Sequence, residues 1–237
     1  MSAPPPPHTA KGYDEELRQA RALVLQMGAR VERQAHDGVE CLHTGSAALI
    51  EQVLRHEAQV NELERSIDEL TSQIIARRQP AAGDLRLLTA VLKTTTDLER
   101  IGDEAKKIAL LARKMRTDGG PRVPRRTAVR DMAKAALDML HRTVDSFERL
   151  DLDGASEVMR RDADVNEAFR SILRQLVTYM IEDPRTITAS LDLILVAKSL
   201  ERIGDHAKNI AEYIVYVVKG TDVRHVTVAE VEREVRG

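Results

Sequence analysis

The sequence predicts an all-α protein made of two tandem three-helix bundles, and three observations support that prediction. Aromatic residues make up only 3% of the 237 residues, with no Trp, whereas 43% are hydrophobic. Because strands rely on aromatic and β-branched side chains, this composition favours helices. Apolar residues recur at steps of three and four, as on one face of a helix. The block Leu-Glu-Arg-Ile-Gly-Asp also occurs twice, at residues 98–103 and 200–205.

The first half of the chain is expected to contain three long helices. The first runs from about Tyr13 to a break at Gly45, and Ser46 can cap the second helix with its hydroxyl. The second ends in a polar turn at residues 78–83. The third carries the first copy of the repeated block and ends before residues 118–121, Asp-Gly-Gly-Pro, which are the clearest break in the chain.

The second half repeats this plan. Apolar periodicity predicts helices over residues 129–147 and 158–180, separated by an Asp-rich corner at residues 151–154. A tight turn at residues 182–185 leads to the last helix, which is expected to span residues 186–219 and to end at a glycine. This helix carries the second copy of the block.

The two halves align along their whole length. Matching residues lie 105 apart in the first two helices of each half, and the two blocks lie 102 apart because the turn before the second is shorter. A repeat of this length is too long for a solenoid unit, so we expect two bundles related by a pseudo-two-fold axis. The predicted domains are a disordered Pro-rich tail over residues 1–12, repeat 1 over 13–118, repeat 2 over 119–222 and a C-terminal tail over 223–237.

Composition excludes several classes of protein. The 36 basic and 38 acidic residues are nearly balanced, which argues against a nucleic-acid binder. The single Cys41 excludes a disulfide framework and a Cys-rich zinc site. No apolar run reaches the ~18 to 20 residues that a membrane helix requires, and residues 1–8 do not resemble a signal peptide. We therefore expect a cytoplasmic protein.

Each repeated block carries two carboxylates four residues apart, Glu99 with Asp103 and Glu201 with Asp205. Residues at this spacing share a helix face, where like charges cost about 0.2 to 0.5 kcal/mol. The glycine between them, Gly102 in the first block, costs a further ~1 kcal/mol relative to Ala. The charge repulsion and the glycine cost both recur at matched places in the two halves. The blocks therefore indicate a functional role, such as binding a cation or allowing another group to approach the helix closely.

A second set of oxygen donors supports the cation hypothesis. Glu57 and Asn61 lie four apart on the second helix, and Asp162 and Asn166 repeat the pair in the second half. Four oxygen-bearing side chains per repeat suit Mg, Mn or Fe. The alternative is a solvated carboxylate face, neutralised by nearby arginines and by the lysine three residues after each Asp of the blocks. The exact duplication favours the metal.

Other functional patterns are weaker. Glu40 and His43 match the Glu-x-x-His spacing of ferritin-like di-iron bundles, but the second half has no copy. His36 and His141 occupy matched positions, for which a shared packing role is expected. The sequence has no nucleophile motif and no Gly-rich phosphate loop. The alternatives left open are a metal-storage bundle, a metal-dependent carboxylate-bundle enzyme and a phosphate-binding sensor that uses helix N-termini.

The turns and blocks together resemble the PhoU family, the phosphate-transport regulators of bacteria. The likeness covers nearly all of the chain after the Pro-rich tail. The segments that carry it are residues 78–87, the blocks at 98–103 and 200–205, residues 179–187 and residues 216–226.

This resemblance implies a fold and a function. The fold would be two three-helix bundles packed as a six-helix layer. The family's acidic-x-x-x-Asp signature falls on Glu99 with Asp103 and on Glu201 with Asp205, and would bind iron, zinc, manganese or magnesium. The protein would not be an enzyme. It would be a homodimeric adaptor between the ATPase subunit of a phosphate ABC transporter and a sensor histidine kinase, and would reach the membrane only through these partners. It would restrain phosphate uptake and the starvation response when phosphate is ample.

Overall fold

The computed structural model describes residues 7–117, 126–224, 226, 230–231 and 233. This part of the chain contains six long helices and no strand, which confirms the predicted all-α class. The helices are α1 (Pro7–Thr44), α2 (Ala47–Arg78), α3 (Ala82–Thr117), α4 (Arg126–Arg149), α5 (Leu152–Glu182) and α6 (Ile187–Lys219), with a short 3₁₀ helix, Pro184–Thr186, between the last two.

Helix α1 begins at Pro7, earlier than predicted. The predicted disordered tail over residues 1–12 is therefore wrong from Pro7 onward, and residues 1–6 lie outside the described part. A proline is well tolerated in the first turn of a helix, because its fixed φ suits the helix and its missing N–H would have no intrahelical partner there. The predicted boundary at residues 118–119 and most of the predicted tail at 223–237 also lie outside the described residues.

Local side-chain chemistry explains where the helices begin and end. The Ser46 hydroxyl accepts a hydrogen bond from the backbone N–H of Leu49 at 3.3 Å, as predicted for the start of α2. Asp151 caps α5 by accepting from the backbone N–H groups of the second and third residues after it. Gly220 ends α6 in the left-handed conformation at φ +79°, which glycine adopts without strain.

The helices form two bundles that share one centre. Helix α2 packs on α1 and α3, and α5 packs on α4 and α6, while α1 contacts α4 and α3 contacts α6 across the centre. Lys114 near the end of α3 pairs with Asp192 near the start of α6, which shows that these two helices run antiparallel. One continuous hydrophobic core extends through both halves. This arrangement confirms the tandem three-helix bundles.

Equivalent points in the two halves show the pseudo-symmetry directly. A Cβ on Gly38 would lie 2.7 Å from the carbonyl oxygen of Ala105, so only glycine allows α1 to approach α3 this closely. At the matching position in the second half, the Thr143 hydroxyl donates a hydrogen bond to the carbonyl oxygen of Ala207 at 3.3 Å. The two halves therefore make the same helix contact with different side chains.

Candidate functional site

The first carboxylate cluster forms where α2 faces α3. The Lys106 ammonium donates to Glu57 Oε1 and to Asp103 Oδ1, at 3.0 Å in each case. Glu57 is only 6% exposed, so its charge is largely removed from water. Burial and the neighbouring Asp103, Glu64 and Glu57 raise the pKa of Glu99. Burial also acts to raise the pKa of Asp103, but the hydrogen bond and charge of Lys106 outweigh it and lower the pKa. The structure thus brings together three of the predicted donors.

A buried glutamine that sequence analysis missed completes this cluster. Gln34 on α1 is fully buried, and its side-chain amide donates to Glu57 Oε2 at 2.8 Å and to the Gly102 carbonyl oxygen at 3.1 Å. A Cβ on Gly102 would lie 3.0 Å from Gln34 Oε1 and 3.5 Å from Glu57 Oε2. The glycine of the first block therefore allows Gln34 and Glu57 to approach α3. A polar residue in the apolar row of α1 is the signal that could have identified it.

The amide predicted as the fourth donor of the cluster is half-buried. Asn61 lies one turn after Glu57 on α2, and its Oδ1 atom is buried with no hydrogen-bond partner in the described structure. A buried amide oxygen without a partner is costly, and a cation or water would satisfy it. Asn61 Oδ1 and Glu99 are therefore the two donors here whose chemistry fits an added cation.

The second cluster lies where α5 faces α6. Lys208 Nζ donates to Asp162 Oδ2 at 3.1 Å, and Lys198 pairs with Glu201. Burial, followed by the charges of Asp162 and Glu201, raises the pKa of Asp205. Asn166, the remaining predicted donor, lies one turn after Asp162 on α5 and is half-buried. This cluster repeats the acidic group of the first half.

The two clusters differ at their glycines. A Cβ on Gly204 would meet only Val165 and Met139, at 3.4 and 3.8 Å, which are ordinary van der Waals distances. Met139 occupies the position that corresponds to Gln34 in the first half, 105 residues earlier. The second cluster therefore has an apolar wall where the first has a buried amide.

In both clusters a lysine ammonium lies against the carboxylates, as the solvated-face alternative predicted. No group of three or more His, Cys, Asp or Glu side chains in the described part of the chain is arranged to hold a metal ion. Binding at the first cluster would require Lys106 to turn away from Glu57 and Asp103. The metal-ligand roles of Glu57, Asn61, Glu99 and Asp103, and of their counterparts in the second half, stay predictions.

The matched histidines do not pack in the core, which corrects the prediction of a packing role. His36 and His141 are exposed and line a cleft of about 490 Å³ between α1 and α4. His141 Nδ1 lies 3.4 Å from Glu32 Oε2. Burial raises the pKa of Glu32, partly offset by its contact with His141. Both imidazoles therefore lie outside the hydrophobic core.

Polar contacts also join the two halves along the boundary between α3 and α6. Buried Asp97 Oδ1 lies 2.7 Å from His206 Nδ1 and accepts from the Asn209 side-chain amide at 3.1 Å. Buried Glu104 pairs with Arg202 at 3.2 Å. His206 follows the second block directly, and Glu104 stands at the matching position after the first. In the structure, both residues contact the opposite half.

Comparison with known proteins identifies the family. The PhoU domain model matches residues 24–112 and 129–214, one match in each half. The chain belongs to the PhoU family. Within it, the chain is 44% identical over 229 residues to the phosphate-specific transport system accessory protein PhoU homolog of Pseudomonas aeruginosa, covering 96% of this chain and 94% of the relative. It is 39% identical over 230 residues to PhoU of Escherichia coli, with 97% and 95% covered.

Solved PhoU structures have the same fold. The crystal structure of PhoU from P. aeruginosa matches with a TM-score of 0.85 and 44% identity, covering 88% of this chain and all of that one. PhoU from Streptococcus pneumoniae matches with a TM-score of 0.81 at 21% identity, which shows likeness of fold alone. No helix in the described part of this PhoU-family chain is both long and apolar enough to span a bilayer.

Proposed function

We propose that this chain restrains phosphate uptake and the phosphate-starvation response when phosphate is ample. The observation that carries the proposal is the full-length similarity to relatives named as phosphate-specific transport system accessory proteins. An accessory role also agrees with the sequence, which lacks a nucleophile motif. The proposed role is regulatory rather than enzymatic, and the proposed location is the cytoplasm.

Deletion of the gene tests the regulatory role. In the host grown with ample phosphate, a phosphate-starvation reporter should become active in the deletion strain and return to its basal activity when the gene is restored. A reporter that remains silent after deletion would contradict the proposal.

We further propose that the chain acts as an adaptor between the ATPase subunit of a phosphate ABC transporter and a sensor histidine kinase. The turns at residues 78–83 and 183–185 are candidate contact points, because Gln79 and Arg185 are exposed there. Capture of both host proteins by the tagged chain would support this role. Arg185→Glu should weaken one capture, with Arg174→Glu on the side of α5 as a control; capture of neither protein by the wild type would contradict the adaptor role.

The third proposal concerns metal. A divalent or transition metal ion would be held by Glu57, Asn61, Glu99 and Asp103 in the first cluster, and by Asp162, Asn166, Glu201 and Asp205 in the second. The ion would supply positive charge that links α2 to α3 and α5 to α6. The support is the gathered carboxylates and the unpartnered Asn61 oxygen.

Competition between Lys106 and the ion gives the sharpest test of this third proposal. Lys106→Met removes the ammonium from two carboxylates and should tighten Mn²⁺ binding measured by calorimetry by about tenfold or more. Glu99→Ala with Asp103→Ala should remove one equivalent of metal from the purified protein in elemental analysis. Unchanged metal content in the double variant would refute the first site.

A further inference from the structure

The two matched histidines converge on one cleft without contributing to the hydrophobic core. Of the seven histidines in the chain, only His36 and His141 occupy equivalent positions in the two halves. Both are exposed, and both line the cleft of about 490 Å³ between α1 and α4. Because an exposed imidazole adds little to packing, the matched pair indicates a role in the cleft itself.

Contacts between α1 and α4 place a carboxylate beside both imidazoles. Arg21 donates a hydrogen bond to the backbone carbonyl of Glu148 at 2.8 Å, whereas Glu32, further along α1, meets His141, which comes earlier on α4. The two helices are therefore antiparallel. His36 follows Glu32 by four residues, which is about 6 Å along the same face of α1. The Glu32 carboxylate is thus flanked by one imidazole on its own helix and by another across the cleft.

Glu32, His36 and His141 together form a set of one carboxylate and two imidazoles. Such a set, completed by water, is typical of Zn²⁺ and of neighbouring transition metals. Mg²⁺ and Ca²⁺ prefer sites made of oxygen atoms alone. The donors in the cleft therefore suit a different class of cation from the two carboxylate clusters, whose proposed ligands include no histidine.

The charges of the cleft favour a cation over an anion. Besides Glu32, its walls carry the carboxylates of Asp37 and Asp138 and the guanidinium of Arg33. Three carboxylates against one guanidinium leave two negative charges while the imidazoles are neutral. Burial raises the pKa of Glu32, and the contact with His141 offsets this only in part. A cation beside Glu32 would compensate the lost hydration of its carboxylate, whereas an anion would be repelled.

Formation of a metal site here requires side-chain rotation. The three donors do not surround a common point in this structure. His141 Nδ1 lies 3.4 Å from Glu32 Oε2, and a bound ion would have to come between these two atoms. Exposed side chains change rotamer within nanoseconds, so both imidazoles are free to turn toward Glu32.

We propose that Glu32, His36 and His141 bind one Zn²⁺ ion, or a transition-metal ion of similar chemistry, across the cleft between α1 and α4. The ion joins the two halves of the chain, because two ligands lie on α1 and the third lies on α4. The cleft holds one such site rather than two, because the counterpart of Glu32 in the second half is Leu137. The proposal depends neither on a role in phosphate regulation nor on metal in the carboxylate clusters, so each can fail separately.

Zinc titration of the full-length chain, with any affinity tag removed, tests the proposal. Calorimetry with ZnCl₂ at neutral pH should show binding by the wild type. His36→Gln, His141→Gln and Glu32→Gln should each raise the dissociation constant by about tenfold or more, because each removes one of three protein ligands. His43→Gln, which changes an exposed histidine of α1 outside the site, should leave the affinity unchanged. Circular dichroism should show the same helix content in all four variants.

Nuclear magnetic resonance of the histidine side chains provides a second readout. One equivalent of zinc should shift the imidazole signals of His36 and His141, which the two Gln variants assign, and leave the signal of His43 in place. Glu99→Ala with Asp103→Ala should leave both shifts unchanged, because these substitutions alter only the first carboxylate cluster.

Four outcomes would overturn the proposal. They are a wild type that does not bind zinc, zinc affinity that is unchanged in a variant with both His36→Gln and His141→Gln, imidazole signals that zinc does not move, and an effect of His43→Gln as large as that of the other two substitutions. Binding of inorganic phosphate that requires His36 and His141 would likewise contradict it, because the cleft would then be an anion site.

Discussion

At the scale of single residues, the two glycines of the repeated block have different roles. Gly102 makes room for the buried Gln34 amide and the Glu57 carboxylate, whereas Gly204 faces the ordinary contacts of Val165 and Met139. The same sequence motif therefore serves a polar site in one half and an apolar contact in the other. The difference arises from the α1 and α4 residues opposite the glycines, Gln34 and Met139.

This difference predicts opposite effects of adding a methyl group. Gly204→Ala should keep the stability or raise it by up to ~1 kcal/mol, because alanine is the better helix former. Gly102→Ala should be about 1 to 2 kcal/mol less stable than Gly204→Ala, because Gln34 is held by two hydrogen bonds and cannot move away freely. Urea unfolding of both variants measures the difference. If Gly102→Ala were as stable as Gly204→Ala, or more stable, the Gln34 amide would have room to move away from the added methyl group, and the prediction would be wrong.

A buried glutamate gives the chain a pH-dependent stability. Burial raises the pKa of Glu212 to about 7 from its usual 4.5, against the opposing charges of Lys208 and Arg224. Between these values the folded state holds a proton that the unfolded state releases, so stability falls as pH rises. From about pH 5 to pH 8, the wild type should lose ~2 kcal/mol more unfolding free energy than Glu212→Gln. Urea unfolding at several pH values measures this loss. Equal losses of unfolding free energy in the two proteins would refute the assignment to Glu212.

At the scale of helices, the contact between α3 and α6 holds the two halves together through buried polar groups. Asp97→Ala would leave His206 and Asn209 without their acceptor and should cost about 2 to 4 kcal/mol. Arg174→Ala, which breaks the exposed pair with Glu167, should cost less than ~0.5 kcal/mol. Guanidinium unfolding at neutral pH compares the two. If both variants lost less than ~0.5 kcal/mol of unfolding free energy, the buried contact of Asp97 with His206 and Asn209 would not stabilise the interface between the two halves.

Much of the helix plan could be predicted from the sequence, because it depends on local signals. The Ser46 cap, the Gly220 end and the repeated spacing are all short-range features, and they locate α2, α6 and the pseudo-symmetry. The start of α1 at Pro7 was missed because a run of prolines also suits an extended chain. Contacts between side chains of different helices were harder to predict. Periodicity shows which face of a helix a residue occupies, but not which residue of another helix packs against it.

The carboxylate clusters show that limit clearly. The spacing of four correctly placed Glu99 and Asp103 on the face toward α2, and Glu57 opposite them. It could not show that Lys106 would bridge Glu57 and Asp103, because a lysine three residues along a helix can equally extend into solvent. Gln34 was missed because α1 lies far away in sequence. The exposed positions of His36 and His141 likewise depend on how α1 meets α4.

At the scale of the whole molecule, two homologous bundles share one core but present different surfaces. The first half carries the polar cluster around Gln34, whereas the second half has Met139 at the matching position and exposes apolar side chains such as Ile181 and Leu191. Such a division allows each half to change its surface while the shared centre stays constant. The duplication therefore provides the fold, and the departures from symmetry provide the candidate binding surfaces.

Reporter activity under controlled expression tests the regulatory role most directly. In the deletion strain growing in ample phosphate, with the chain supplied from an inducible promoter, the phosphate-starvation reporter should fall steadily as the chain accumulates. The control Thr89→Glu, on α3 and outside both carboxylate clusters, should follow the same curve as the wild type. A reporter whose activity is independent of the amount of chain, or which is already silent without it, would contradict the proposed role in restraining the phosphate-starvation response.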